Sequence, residues 1–187
     1  MEGRVKVTNF DFKVKSISAG WEEFELIFDK IIIPFNASYI GAEPINSLLS
    51  SIINLESVAN DYHTAYAGCK WECEPGFMKI RFEKTDDILN IDITHNDRYT
   101  DGVDEHQIFH LPYPIFREAI IKESLRVLKK YGMQGFNDNW MDDCEYFPLN
   151  ELIAVLGSQS LLNSKTGEYH SDILNELEVL SLALQNN

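Results

Sequence analysis

The stretch that decides the fold is Tyr66-Ala67-Gly68-Cys69-Lys70-Trp71-Glu72-Cys73-Glu74-Pro75-Gly76-Phe77-Met78-Lys79-Ile80-Arg81-Phe82. Apolar and polar side chains alternate on both sides of Pro75-Gly76, which is the period of a strand with one face buried and one in water. If Glu74 and Phe77 flank the turn, Cys73 faces Met78, Trp71 faces Ile80 and Cys69 faces Phe82, while Glu72 meets Lys79 on the opposite face. The alternation runs on to Leu111 with a second break from Asn96 to Glu105, so four strands are expected between Tyr66 and Leu111.

Upstream, Val5 and Val7, then Phe10, Phe12 and Val14, alternate with polar residues, and the parity slips near Thr8-Asn9 as a β-bulge would produce. One long strand is expected there. After a turn at Ser18-Ala19-Gly20, the run from Trp21 to Phe35 reads as a second strand paired with the first. Pro44 then opens a helix whose apolar stripe is Ile45, Leu48, Leu49, Ile52, Ile53 and Ala59.

Downstream of the meander, Pro112 and Pro114 introduce a helix with Phe116, Ala119, Ile120, Val127, Leu128 and Tyr131 on its buried face, stopped by Gly132. A loop is expected from there to Phe147. A short helix follows between Pro148 and Gly157, and a last one from Ser171 to Gln185. Strands gathered in residues 1–111, with one helix at about 44–59, and helices in residues 112–187 define an α+β protein of a single domain, 1–187. The expected architecture is an antiparallel sheet of about six strands with three or four helices packed mainly on one face.

The chain has 187 residues, enough for a full core, and its formal charge is −14. Residues 41–111 carry 13 acidic and 5 basic side chains and residues 134–187 carry 9 and 1, whereas residues 112–133 carry 2 and 5. A body this negative repels phosphate backbones and anionic lipid heads, which argues against nucleic acid and membrane surfaces as partners. A basic protein would be attracted. The start, Met1-Glu2-Gly3-Arg4-Val5-Lys6, lacks an apolar signal core and no apolar run approaches a membrane span, which points to the cytoplasm. Cys69, Cys73 and Cys144 cannot all pair within the chain and lack zinc-knuckle spacing, so reduced thiols are expected.

No glycine-rich phosphate loop, GxSxG elbow or HExxH helix is present, and no cofactor is implied. The absence of these catalytic motifs points away from an enzyme. His106 and His110 share one face of a strand and His95 ends the strand before it, with Asp97 nearby, so a small His/Asp centre at residues 95–106 is the enzymatic alternative. No metal site is expected, because His106 and His110 stand two pleats apart. Asp97, Asp101 and Gly102 mimic part of a calcium loop, but Tyr99 and Ile108 occupy positions that require ligands.

The segment Phe136-Asn137-Asp138-Asn139-Trp140-Met141-Asp142-Asp143-Cys144-Glu145-Tyr146-Phe147 mixes aromatic anchors with carboxylates, a combination suited to a cationic protein surface. The expected partner-binding residues are therefore Asp97, Asp101, Asp104 and Glu105 in one acidic loop and Asp138, Trp140, Asp142, Asp143 and Glu145 in the other. In the competing reading, Trp140 and Phe147 simply close the core. A structural subunit dimerising through Leu174, Leu177, Leu180 and Leu184 of the last helix is a further alternative.

Pro44-Ile45 with Leu48-Leu49, Trp71, Glu74-Pro75-Gly76, Tyr131-Gly132, Gly135-Phe136, Trp140 and Phe147-Pro148-Leu149 together give a resemblance over about residues 44–157. In these motifs the chain resembles small bacterial proteins, some of the immunity type found in polymorphic toxin systems. The resemblance implies a cytoplasmic bacterial protein without catalytic residues that masks a toxin domain by tight binding.

Overall fold

The computed structural model describes residues 4–57, 63–96, 105–140, 147–156, 161–162, 169–170 and 173–185. The elements run β1 (Val5–Lys6), β2 (Phe10–Ser18), β3 (Trp21–Phe28), β4 (Ile31–Ser38), α1 (Pro44–Ser57), β5 (Thr64–Glu72), β6 (Phe77–Thr85), β7 (Ile88–Asn96) and β8 (Glu105–Pro112). There follow α2 (Tyr113–Trp140), α3 (Leu149–Val155), β9 (Leu161–Leu162), β10 (Tyr169–His170) and α4 (Ile173–Gln185). The α+β class stands, but the single antiparallel sheet does not. The strands form a five-stranded mixed sheet in the order β1-β8-β7-β6-β5, a three-stranded antiparallel sheet β2-β3-β4, and a two-residue pair of β9 with β10.

The division falls at Thr8-Asn9, where the alternation slips. The expected bulge is instead the point at which the chain leaves one sheet for the other: β1 runs parallel to β8, and β2 pairs with β3. Asp29 pins this crossing by accepting hydrogen bonds from the Thr8 amide at 3.2 Å, the Thr8 hydroxyl at 3.0 Å and the Asn9 amide at 2.9 Å. The bulge itself lies between Val14 and Ser16. The run expected as one strand from Trp21 to Phe35 is a hairpin, turning at Asp29-Lys30 with Asp29 at φ 53. Aspartate tolerates that left-handed conformation, so neither Gly nor Pro marks the turn.

The four-stranded meander is present, with its first register offset by two residues from the expected one. Trp71 faces Met78, Cys69 faces Ile80 and Lys70 faces Lys79. The connection is Cys73-Glu74-Pro75-Gly76, closed by the Cys73 amide donating to the Gly76 carbonyl at 3.0 Å. A two-residue slip keeps every side chain on its expected face, because the strand period is two. Alternation and Pro75-Gly76 therefore locate the buried face and the turn, and the four-residue length of the connection sets the register.

The inner faces of the two sheets meet through aromatic rings. Phe28 stacks on Phe109 at 3.8 Å between centroids, Phe24 meets Trp71 edge-on at 5.0 Å, and Phe116 of α2 touches Phe10 and Phe82. The helices also contact one another, with α1 packing chiefly along β5 and α2 along β2, each a terminal strand of its sheet. At β2 the Val14 amide donates to Glu123 at 2.6 Å and the Val14 carbonyl accepts from Arg126 at 2.6 Å, so α2 satisfies main-chain groups that β3 does not. Gly132, at φ 64 and ψ 177, breaks α2 as expected, but helix resumes through Trp140 in place of the expected loop. Phe136 and Trp140, four residues apart, form one fully buried face of the resumed segment and hold it to the core.

Candidate functional site: an acidic pole over a buried carboxyl pair

Close main-chain contacts draw one end of each sheet into a common surface. The Tyr39 amide donates to the Gly20 carbonyl at 2.8 Å, and the Gly20 amide donates to the Asn139 carbonyl at 2.9 Å. A Cβ on Gly20 would stand 2.7 Å from the Tyr39 ring, so only glycine, here at φ 79, lets the ring lie on the turn. Across the same turn, a Cβ on Gly41 would come within 3.0 Å of the Glu72 amide, which ties residues 39–41 to the end of β5. Gly76 in turn abuts the Asn96 carbonyl, beside the His95–Glu105 pair of β7 and β8.

The band that results runs from Asp138 through Tyr39 and Ile40 to Glu72, Glu74 and Glu105. Asp138, Glu74 and Glu105 are exposed, and Tyr39 and Ile40 retain 46% and 62% of their surface in water. Asp138 and Glu105, taken from different loops of the sequence, thus belong to one end of the molecule. Asp97, Asp101, Asp104, Asp142, Asp143 and Glu145 lie outside the described residues.

Trp140 is corrected. It is wholly buried, and Phe136 and Phe147 are buried with ring centroids 5.3 Å apart, so these three aromatics close the core and cannot anchor a partner. Tyr39 and Ile40 hold the exposed position instead. Their signal in the sequence is a bulky apolar pair directly before Gly41, where a strand ends and no helix has begun.

The histidines do not converge. His106 Nε2 meets Asp92 Oδ1 at 2.7 Å and His110 Nδ1 meets Asn90 Oδ1 at 2.8 Å on the outer face of the five-stranded sheet. His95 lies on the inner face against Phe35, with ring centroids 5.6 Å apart, so His95 and His106 cannot form one centre. Asp97 lies outside the described residues. Among the described residues no three His, Cys, Asp or Glu side chains are grouped to hold a metal.

Beneath the pole lie two buried carboxyl groups. Glu22 follows the inward parity of β3 with Phe24 and Leu26 and is wholly buried, and Glu43, before α1, is 1% exposed. Glu43 caps α1: its two oxygens accept the Ile45 amide at 2.8 Å and the Asn46 amide at 2.6 Å, satisfying two of the helix's unpaired donors. Among the described residues no donor reaches either oxygen of Glu22. Burial first, then the neighbouring Glu43 and more weakly Glu123, hold the Glu22 carboxyl well above its ordinary range.

No family model, curated protein or solved structure matches the chain. Among the described residues no helix is long and apolar enough to cross a membrane.

Proposed function

We propose that this chain is a non-enzymatic protein-binding protein that receives a basic protein partner on its acidic pole, in the manner of an immunity protein neutralising a toxin domain. The observation that carries the reading is the exposure of Tyr39 and Ile40 on a band rimmed by Glu74, Glu105 and Asp138, with Glu72 beside them ion-paired to Lys70 at 2.6 Å. Apolar and aromatic side chains supply affinity when a partner covers them, and the surrounding carboxylates accelerate and orient the approach of a cationic surface. A net charge of −14 adds long-range steering of the same sign. The immunity assignment, with a bacterial and cytoplasmic setting, rests on the resemblance over residues 44–157.

The test uses the purified chain and its Ile40→Asp variant as paired baits in extract of the source cells at 50 and 300 mM salt. The expected result is a cationic protein retained by the native chain, weakened by salt and lost with Ile40→Asp, whose circular dichroism stays native. Capture that Ile40→Asp leaves intact, or no capture of a cationic protein, overturns the reading.

A structural subunit is the second reading, favoured by α4, where Leu177 and Leu184 are 55% and 71% exposed while Val179 and Ala183 are buried. Leu180 packs against the core, and the side chain of Leu174 lies outside the description, so the expected four-leucine stripe is at most partly outward. Sedimentation at dilute and high concentration decides this reading: a dimer abolished by Leu184→Glu supports it, and a monomer throughout rejects it.

A further inference from the structure

We propose that Glu22 retains a proton and donates it in a hydrogen bond to Glu43, so that the turn 39–43 carrying Tyr39 and Ile40 is latched to the core only while that proton is present. The latch goes beyond the partner reading and holds whether or not a partner exists.

Four observations carry it. Glu22 is wholly buried on the inner face of β3, and no donor among the described residues reaches its oxygens, so its own proton is the group that can bridge it to another carboxylate. Glu43, itself buried, is the charged neighbour that acts most on Glu22, and both its oxygens already receive main-chain amides of α1, an arrangement that suits an acceptor. The charged group next in influence is Glu123 of α2, which adds negative potential, and the Arg126 guanidinium is engaged with Glu123 at 2.6 and 2.7 Å. Among the described residues, Ser38, Trp71 and Trp140 are wholly buried side chains with a polar atom, and none of them carries a charge.

The consequence follows from position. Glu22 belongs to the three-stranded sheet, and Glu43 is the residue at which the chain turns from β4 into α1. A carboxyl–carboxylate hydrogen bond joins them, whereas two carboxylates in the same buried space repel. Loss of the proton therefore pushes the α1 cap away from β3 and releases the intervening turn. Above the pH at which Glu22 ionises, the latched form declines about tenfold for each further pH unit.

The experiment follows the Glu22 carboxyl by 13C NMR in glutamate-labelled protein, assigned by the resonance lost in Glu22→Gln, together with amide exchange protection at residues 39–46 from pH 5 to 10. The expected outcome is a Glu22 resonance that titrates well above the ordinary carboxylate range and protection that falls with its titration. In Glu22→Gln, which keeps a donor and cannot ionise, protection is expected to persist across the range. A Glu22 resonance that titrates in the ordinary carboxylate range overturns the proposal, as does parallel loss of protection in both proteins. Should Glu22→Gln fail to fold, the native titration decides alone, with Glu43→Gln, which removes the like charge, supplying the assignment by shifting that resonance.

Discussion

Replacing Trp140 by alanine tests the correction on which the placement of the binding surface depends. Trp140 is fully buried in the resumed segment of α2, on the same helix face as Phe136. A buried tryptophan removes about 150–250 Å² from water. At about 25 cal/mol per Å² this is roughly 4–6 kcal/mol as an upper bound. Truncations of this kind cost about 3–5 kcal/mol when the cavity only partly collapses. With a urea dependence of about 2 kcal/mol per molar, the unfolding midpoint should fall by roughly 1.5–2.5 M. Trp140→Phe should cost much less, because the indole N–H has no partner among the described residues and its loss leaves no acceptor unpaired. Urea titration followed by circular dichroism measures both, with Ile40→Asp as a surface control expected to change stability by less than about 0.5 kcal/mol. A Trp140→Ala protein as stable as the native one would refute the reasoning and return this residue to the surface.

Glu22→Gln should stabilise the protein at neutral pH. A carboxyl whose folded pKa is raised contributes stability that is fully present below about pH 4.3 and is lost as pH rises through the folded value, at up to about 1.4 kcal/mol per unit. The gap between variant and native stability in urea should accordingly widen from pH 4 upward. Glu123→Ala leaves the Val14 amide without its acceptor and should cost about 1–3 kcal/mol, with faster exchange of the Val14 amide as the local readout. Truncating Phe28 and Phe109 singly and together should give a coupling of about 0.5–1.5 kcal/mol in a double-mutant cycle, since their rings stack across the two sheets.

The legibility of each part of the fold depends on the range of the interaction that sets it. The helix from Pro44 was readable because Ile45, Leu48, Leu49 and Ile52 recur on one face, and all four are buried. The inward set Trp71, Met78, Ile80 and Phe82 was readable for the same reason, and it survived a two-residue error in register. Asp138 and Glu105 were recognised as acidic surface, but their shared end of the molecule was not visible, since it depends on contacts of Gly20, Gly41 and Gly76 with distant segments. The sequence leaves Trp140 open between partner surface and core, because an aromatic between acids has the same local composition whether its ring points inward or outward, and the structure buries it.

Glu22 shows the limit most clearly. In β3 it stands at an inward position between Trp21 and Phe24, yet among acidic neighbours it reads as one more surface carboxylate. Local periodicity determined which residues this chain buries and which elements they form, because side-chain direction in strands and helices repeats over a few residues. The tertiary structure alone decided that the strands divide into two sheets, that Tyr39 and Ile40 come to the surface beside distant carboxylates, and that Glu22 and Glu43 are both buried. Those outcomes depend on where separate segments pack against one another, and no short stretch of sequence contains that distance.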